Sequence, residues 1–339
     1  MIKTSVIIPT YNSKEDLRTC LRALAGQAYP KDQFEIIVVD DGSTDGTEAL
    51  VKELEQTNGV ANGVRYVKQS NRGPAVARNA GIREAKGEIV VFIDADCIAD
   101  ADWLKQLDES FEDQKVVGAS GSTISPEVLV FPWKIAPAGF GFTTCNMAYR
   151  RDVLNEAGGF NEKFEAPYYE DTDLALRIER NFGKIIQNDR AIVIHPPRKL
   201  GFKGLAKQAF LHKYDSLMLQ MYPGYIGDFG APFRPVFWGF STVGLSFLIL
   251  LFLFNGGIIA FGGSMFLPLI LFLAAGCAFF LFSGYRLCVS SWPGNADKEA
   301  EDRLSLYEKF RTVAALLFYI PLFLLARIVS SFKYKKFLF

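Results

Sequence analysis

Phe34–Ser43 reads FEIIVVDDGS. Ile36 to Val39 form an unbroken apolar run that stops at two consecutive aspartates and a Gly-Ser turn. A strand with one wet face alternates apolar and polar residues, whereas a run without alternation suits a parallel strand buried on both faces. The same design occurs in SVIIPTYN (Ser5–Asn12) and EIVVFIDAD (Glu88–Asp96). Helical patterns separate these runs. In Ser13–Gln27, Leu17, Leu21 and Leu24 share one face, and Ser13 with Asp16 resembles a capping box. A second helix is expected within Thr44–Thr57, then a strand VRYV, then a helix around Pro74 to Ala85. Alternating β and α segments with such strands predict an α/β, Rossmann-like, mostly parallel sheet.

In such sheets ligands bind beyond the carboxyl ends of the strands. The polar stretches PTYN, DDGSTDGT and DAD each follow a strand directly, so they should gather on one edge. Asp94 and Asp96 stand one residue apart after an apolar strand. Buried carboxylates are costly without a partner, so a cation, a ligand or open water is expected there. Mg²⁺ or Mn²⁺ suits hard oxygen ligands, commonly one or two carboxylates plus substrate phosphates. Asp41 is placed to accept hydrogen bonds from a base or ribose, and Tyr11 to stack on a base. Arg78 would reach a phosphate or pair with an aspartate. Singly, each reads equally well as a turn acid, a core tyrosine or a solvated arginine.

The chain has 339 residues, with 37 basic and 37 acidic side chains, a balance that argues against a nucleic-acid binder. It is 50% hydrophobic, with 30 phenylalanines, and the excess lies after about residue 235. Residues 236–254 and 258–282 are uncharged and long enough, at about 1.5 Å per residue, to cross a hydrocarbon core. Residues 313–326 form a shorter third run that contains Pro321. Residues 201–235 open as a basic amphipathic pattern, with Phe202, Leu205, Ala209 and Phe210 interleaved with Lys203, Lys207 and Lys213. These features predict three regions: a catalytic domain over 1–200, an amphipathic interfacial segment over 201–235, and an α-helical membrane region over 236–339 with two to three transmembrane helices. The expected location is the cell inner membrane, multi-pass, with the catalytic domain cytoplasmic and membrane lipids as partners. The five scattered cysteines show no metal spacing.

SVIIPTYN, VVDDGSTDGT, GPAVARNAGI, GEIVVFIDAD and GGFNEKFEAPYYEDTDLALRI occur in this order with ordinary spacing. Together they resemble the family 2 glycosyltransferases, which have the GT-A fold, over about residues 3–195. The resemblance implies inverting, metal-dependent transfer of a sugar from a nucleotide diphosphate sugar, UDP- or GDP-linked, in cell-surface glycan or glycolipid assembly. It implies that Pro9, Thr10, Tyr11, Asp41 and Arg78 hold the nucleotide, with Asn71 near the base. Asp94 would meet the ribose or metal, and Asp96 would ligate the metal. His195, closing the strand RAIVIHPP, is a further candidate metal ligand. The ED motif places the general base on Asp171, with Glu170 beside it, while Asp173 suits helix capping. KQAFLHKYD faintly resembles the QxxRW motif of processive synthases, with Lys213 and Tyr214 in place of the arginine and tryptophan. The acceptor expected is a hydroxyl of a lipid-linked or membrane-proximal glycan. The alternatives are a polyprenyl-phosphate glycosyltransferase and an inactive sugar-nucleotide-binding scaffold.

Overall fold

The computed structural model describes residues 2–56, 63–125, 134–135, 142–196, 198–199, 201–223, 322, 325–326 and 328–334. The chain divides into two compact units, Met1–Glu127 with Ile135–Arg198, and Val128–Lys134 with Lys199–Phe339.

The first unit alternates strands and helices as the apolar runs require. Its elements begin with β1 (Thr4–Thr10), α1 (Lys14–Ala25), β2 (Phe34–Asp40), α2 (Thr47–Gln56), β3 (Val64–Lys68), α3 (Pro74–Glu84) and β4 (Ile89–Phe92). They continue with β5 (Ile98–Ala99), α4 (Trp103–Glu109), β6 (Val116–Ile124), β7 (Lys134–Ile135), β8 (Met147–Arg150), α5 (Arg151–Glu156), α6 (Glu170–Asn181), β9 (Lys184–Ile194) and β10 (Arg198–Lys199). The two-residue strands β7 and β10 lie where the chain passes between the units.

Eight strands form one sheet in the order β3-β2-β1-β4-β8-β6-β9-β5. The first four are parallel, with Thr10 opposite Asp40 and Ile7 opposite both Ile37 and Phe92. The carboxyl ends of β1, β2 and β3 are therefore level, and β4 ends three residues earlier, at Phe92 opposite Ile7. The expectation of a mostly parallel sheet needs correction in the other half. There β8 runs antiparallel to both β4 and β6, and β5 antiparallel to β9, so the sheet is mixed. The sequence MAYR is too short for periodicity to announce this strand.

Burial on both faces accounts for the continuous apolar runs. Val6, Ile8, Ile36 and Val38 pack on one side with Leu17, Leu21, Leu24 and Trp103. Ile7, Ile37, Val90 and Phe92 pack on the other with Ala77, Phe160, Leu174 and Ile178. Each such side chain contributes about 1.5–3 kcal/mol when fully buried. The helix α3 sits close to the sheet because Gly81 faces Ile7; a Cβ there would lie 2.4 Å from Ile7 Cγ2.

One capping expectation is corrected. Ser13 makes no side-chain cap on α1; its hydroxyl donates to the Tyr11 carbonyl. The orphan N–H of Lys14 is met instead by Asp45, 2.9 Å away. Asp173, in the first turn of α6, is fully buried and pairs with Arg177 at 2.9 Å.

In the second unit, α7 (Phe202–Leu211) leads through a short 3-10 turn into α8 (Asp215–Met221). The amphipathic pattern is realised in part in α7: Leu205 and Ala209 are buried and Lys203 and Lys207 exposed, but Phe210 is also exposed. The expected membrane region and multi-pass inner-membrane location are corrected: among the described residues, no helix is long and apolar enough to cross a membrane. The runs 236–254 and 258–282 lie outside the described residues, as does most of 313–326.

Candidate active site

The carboxyl ends of β1, β2 and β4 bring together the polar stretches that follow them. Pro9 and Thr10 end β1, and the Thr10 carbonyl accepts the Asp41 N–H at 2.9 Å. Tyr11 follows with its side chain half in solvent, at 50% exposure, so its ring is open to stacking. Asp41 is buried and fully engaged. Its Oδ1 accepts from Gln69 Nε2 at 2.7 Å and the Arg72 N–H at 2.8 Å, and its Oδ2 accepts from the Gly73 N–H at 2.8 Å. The carboxylate thus fastens the loop that carries Asn71, whose own side chain is exposed. Gly73 is required there: its φ is +92°, and a Cβ would lie 2.5 Å from the Glu165 carbonyl oxygen.

Arg78 points inward from α3 and is 4% exposed. Its guanidinium spans two acids, reaching Asp94 Oδ1 at 3.0 Å and Glu170 Oε1 at 2.8 Å. It also lies over the Phe160 ring, 5.6 Å from the centroid. Of the two partners expected for Arg78, the aspartate is the one it meets. Burial works against its charge, but Asp94 and Glu170 beside it more than offset this and raise its pKa above the ordinary value.

Glu170 and Asp171 are adjacent in sequence and differ in setting. Glu170 is buried against Arg78; burial and the neighbouring Asp171 push its carboxyl up to about 7, against the pull of Arg78. Asp171 is only half-buried. Its Oδ1 accepts the Thr172 N–H at 2.7 Å. Burial raises its pKa, and the Thr172 hydrogen bond and Arg78 hold it back only in part. A carboxylate raised in this way and still partly exposed is a better proton acceptor than an ordinary surface acid.

Asp96 meets His195 at the far side. The strand β5 pairs with β9, Ile98 opposite Ile194, and this register brings the two residues together. Asp96 Oδ1 is 3.5 Å from His195 Nε2. His195 Nδ1 lies 2.8 Å from the Pro196 carbonyl and donates to it, so that in the neutral ring Nε2 presents its lone pair to the carboxylate. Such a contact is satisfied by a second proton on the ring or by a cation, and the ring orientation is the one that metal-ligating histidines adopt. Cys97 completes the only group of three candidate ligands found among the described residues, all ligand atoms within 4.8 Å. Sequence reasoning missed it for lack of a spacing motif. With no cation bound, a hydrogen bond with Cys145, burial and Asp94 push the Cys97 thiol far up.

Residues 5–162 match the family described as glycosyl transferase family 2. Glycosyltransferase AglE of Haloferax volcanii is 38% identical over 102 residues, which cover 30% of this chain and 33% of that protein. The poly(ribitol-phosphate) beta-N-acetylglucosaminyltransferase TarS of Staphylococcus aureus is 37% identical over 125 residues, 36% of this chain and 22% of that protein. The match thus spans about a third or less of the length of these curated relatives. Among solved structures, the mannosyltransferase PcManGT from Pyrobaculum calidifontis, in complex with GDP-Man and Mn²⁺, aligns with a TM-score of 0.55 at 22% identity, over 95% of this chain and 87% of that one. Residues 1–349 of Staphylococcus aureus TarS in complex with UDP-GlcNAc align with a TM-score of 0.51 at 17% identity, over 100% and 93%. These two likenesses show a shared fold. The order of the strand-end motifs and the family match point the same way: residues 5–162 are similar to glycosyl transferase family 2.

Proposed function

We propose that the protein transfers a sugar from a nucleotide diphosphate sugar to an acceptor hydroxyl, with inversion at the anomeric carbon. The observation that carries this reading is the Arg78 guanidinium, which spans Asp94 at 3.0 Å and Glu170 at 2.8 Å and so joins the two acidic motifs in one site. The Mn²⁺–GDP-Man complex of PcManGT and the UDP-GlcNAc complex of TarS support a nucleotide-sugar donor, UDP- or GDP-linked.

In this reading Tyr11 stacks on the base, and Pro9, Thr10, Asn71 and the Asp41-fastened loop shape the nucleotide pocket. Asp96 and His195 would hold Mg²⁺ or Mn²⁺, with Asp94 directed to the ribose or the metal. A divalent cation supplies neutralisation of the diphosphate as it leaves. Asp171 takes the proton from the acceptor hydroxyl as its oxygen attacks the anomeric carbon. A hydroxyl is a poor nucleophile unless its proton is removed during attack, so a half-buried carboxylate of raised pKa suits this acceptor better than an already ionised phosphate.

Screening UDP- and GDP-linked sugars with Mn²⁺ for protection against thermal unfolding tests the reading. One class should raise the melting temperature, because ligand binding to the native state adds stability. Protection by no nucleotide, with or without the cation, would count against it.

A further inference from the structure

We infer that Glu170 is not a second base but half of a clamp, with Arg78, that fixes the direction of Asp171 at the start of α6. This rests on the reading of Asp171 as the base and assigns its neighbours a positioning role. The backbone entering α6 is held in an unfavourable state: Tyr169 has φ 69° and ψ −5°. Only Asn12 shares a positive φ among the described non-glycine residues. A left-handed tyrosine persists only where its surroundings over-determine it.

The determinant lies one residue on. Glu170 is pulled inward to a 2.8 Å contact with Arg78, both side chains 4% exposed. With Glu170 turned inward at the first position of the helix, Asp171 projects about 100° away around the helix axis, where it is partly exposed. Arg78 is itself held by Asp94 at 3.0 Å and rests over Phe160. Phe160 is fixed to the same helix: its N–H donates to Asn79 Oδ1 at 2.7 Å, and its carbonyl accepts from Asn79 Nδ2 at 2.9 Å. The clamp therefore ties the start of α6 to the strand end that carries Asp94.

Burial argues for geometry over proton transfer. A base must reach the acceptor hydroxyl, and Glu170 is enclosed, with Oε1 committed to Arg78. A positioning pair needs the hydrogen bond, not the negative charge. Glutamine can make that bond; alanine cannot, and lysine in place of Arg78 cannot span two acids with a planar fork.

The test compares Glu170→Gln, Glu170→Ala and Arg78→Lys with wild type and Asp171→Asn. Nucleotide diphosphate release from a panel of UDP- and GDP-linked hexoses gives kcat and KM. Glu170→Gln should stay within about threefold of wild type, while Glu170→Ala and Arg78→Lys should lose about 10- to 100-fold in kcat with KM little changed, as expected when a reacting group is slightly misplaced. A fall in Glu170→Gln as deep as that in Asp171→Asn would make Glu170 a base and overturn the clamp. Backbone hydrogen exchange gives a readout that needs no turnover. The Asp173 N–H, bonded to the Tyr169 carbonyl at 2.9 Å, should exchange at least about tenfold faster in Glu170→Ala and Arg78→Lys than in wild type. Unchanged exchange in both would overturn the clamp. Wild-type activity lost in Asp171→Asn with exchange unaltered in all variants would leave the transferase reading standing without it.

Discussion

Asp40, Asp41 and Asp45 follow β2, while Asp94, Asp96, Glu170 and Asp171 lie beyond β4 and at the start of α6. Both groups are acid-rich, and the fold treats them differently. In the first, the carboxylates serve the polypeptide itself. Asp40 accepts from the Ser43 N–H at 2.7 Å and from the Tyr66 hydroxyl. Asp41 accepts three donors from the loop 69–73. Asp45 accepts from Thr47 and from the Lys14 N–H; its slight burial is outweighed by these bonds, which lower its pKa. In the second group the acids face a buried arginine, a histidine lone pair and each other. Burial raises Glu170 and Asp171. Carboxylates whose oxygens are taken up by donors of the polypeptide are inert, whereas desolvated, crowded ones are poised to bind a cation or a proton. Carboxylate count alone therefore says little about which turn performs chemistry.

The contrast predicts rate effects in one group and stability effects in the other. The largest is at Asp171. Asp171→Asn keeps the size and removes the proton acceptor, so transfer should fall roughly 10²–10⁴-fold with donor affinity nearly unchanged. Wild-type transfer by this variant, measured at saturating donor, would place the base elsewhere and favour an ionised acceptor. Asp41→Ala should act in the opposite sense. It orphans the Arg72 and Gly73 N–H groups, so denaturant melts should show a loss of about 1–3 kcal/mol, with weaker donor binding through the loosened loop. Equal stability of the variant would mean that the loop is held by something other than this carboxylate.

A smaller effect tests the burial of Glu170. Its folded pKa is pushed up to about 7 by burial and Asp171, while an unfolded glutamate titrates near about 4.3. A group raised on folding contributes stability that is full below the unfolded value and is lost as pH rises through the folded one. Glu170→Gln abolishes this dependence. Relative to wild type, the variant should gain on the order of 1 kcal/mol between about pH 5 and about pH 8. Parallel stability profiles for the two proteins would show that Glu170 is not desolvated.

The sequence made the parallel half of the sheet legible because burial on both faces leaves an apolar run that nothing else explains. It also made the strand-end acids legible, since each follows such a run directly. What it left unread depends on tertiary contacts. The strand β8 is too short for its direction to be inferred. Ser13 reads as a cap, yet Asp45 reaches across from another turn to do that work. Glu170 and Asp171 are chemically alike and adjacent, and only Arg78, 92 positions away, separates their settings. His195 was a candidate from its place at a strand end, while its lone pair toward Asp96 became visible only once β5 and β9 were paired.

The central claim is that the second group of acids, with a divalent cation at Asp96 and His195, turns over a nucleotide sugar. The most direct measurement is nucleotide diphosphate release from UDP- and GDP-linked sugars, by wild type and Asp96→Asn, with Mn²⁺ and with excess chelator. The account predicts release by wild type with Mn²⁺, its loss in chelator, and weakened release with weakened binding of the diphosphate in Asp96→Asn. Release that persists undiminished in chelator and in Asp96→Asn would contradict it.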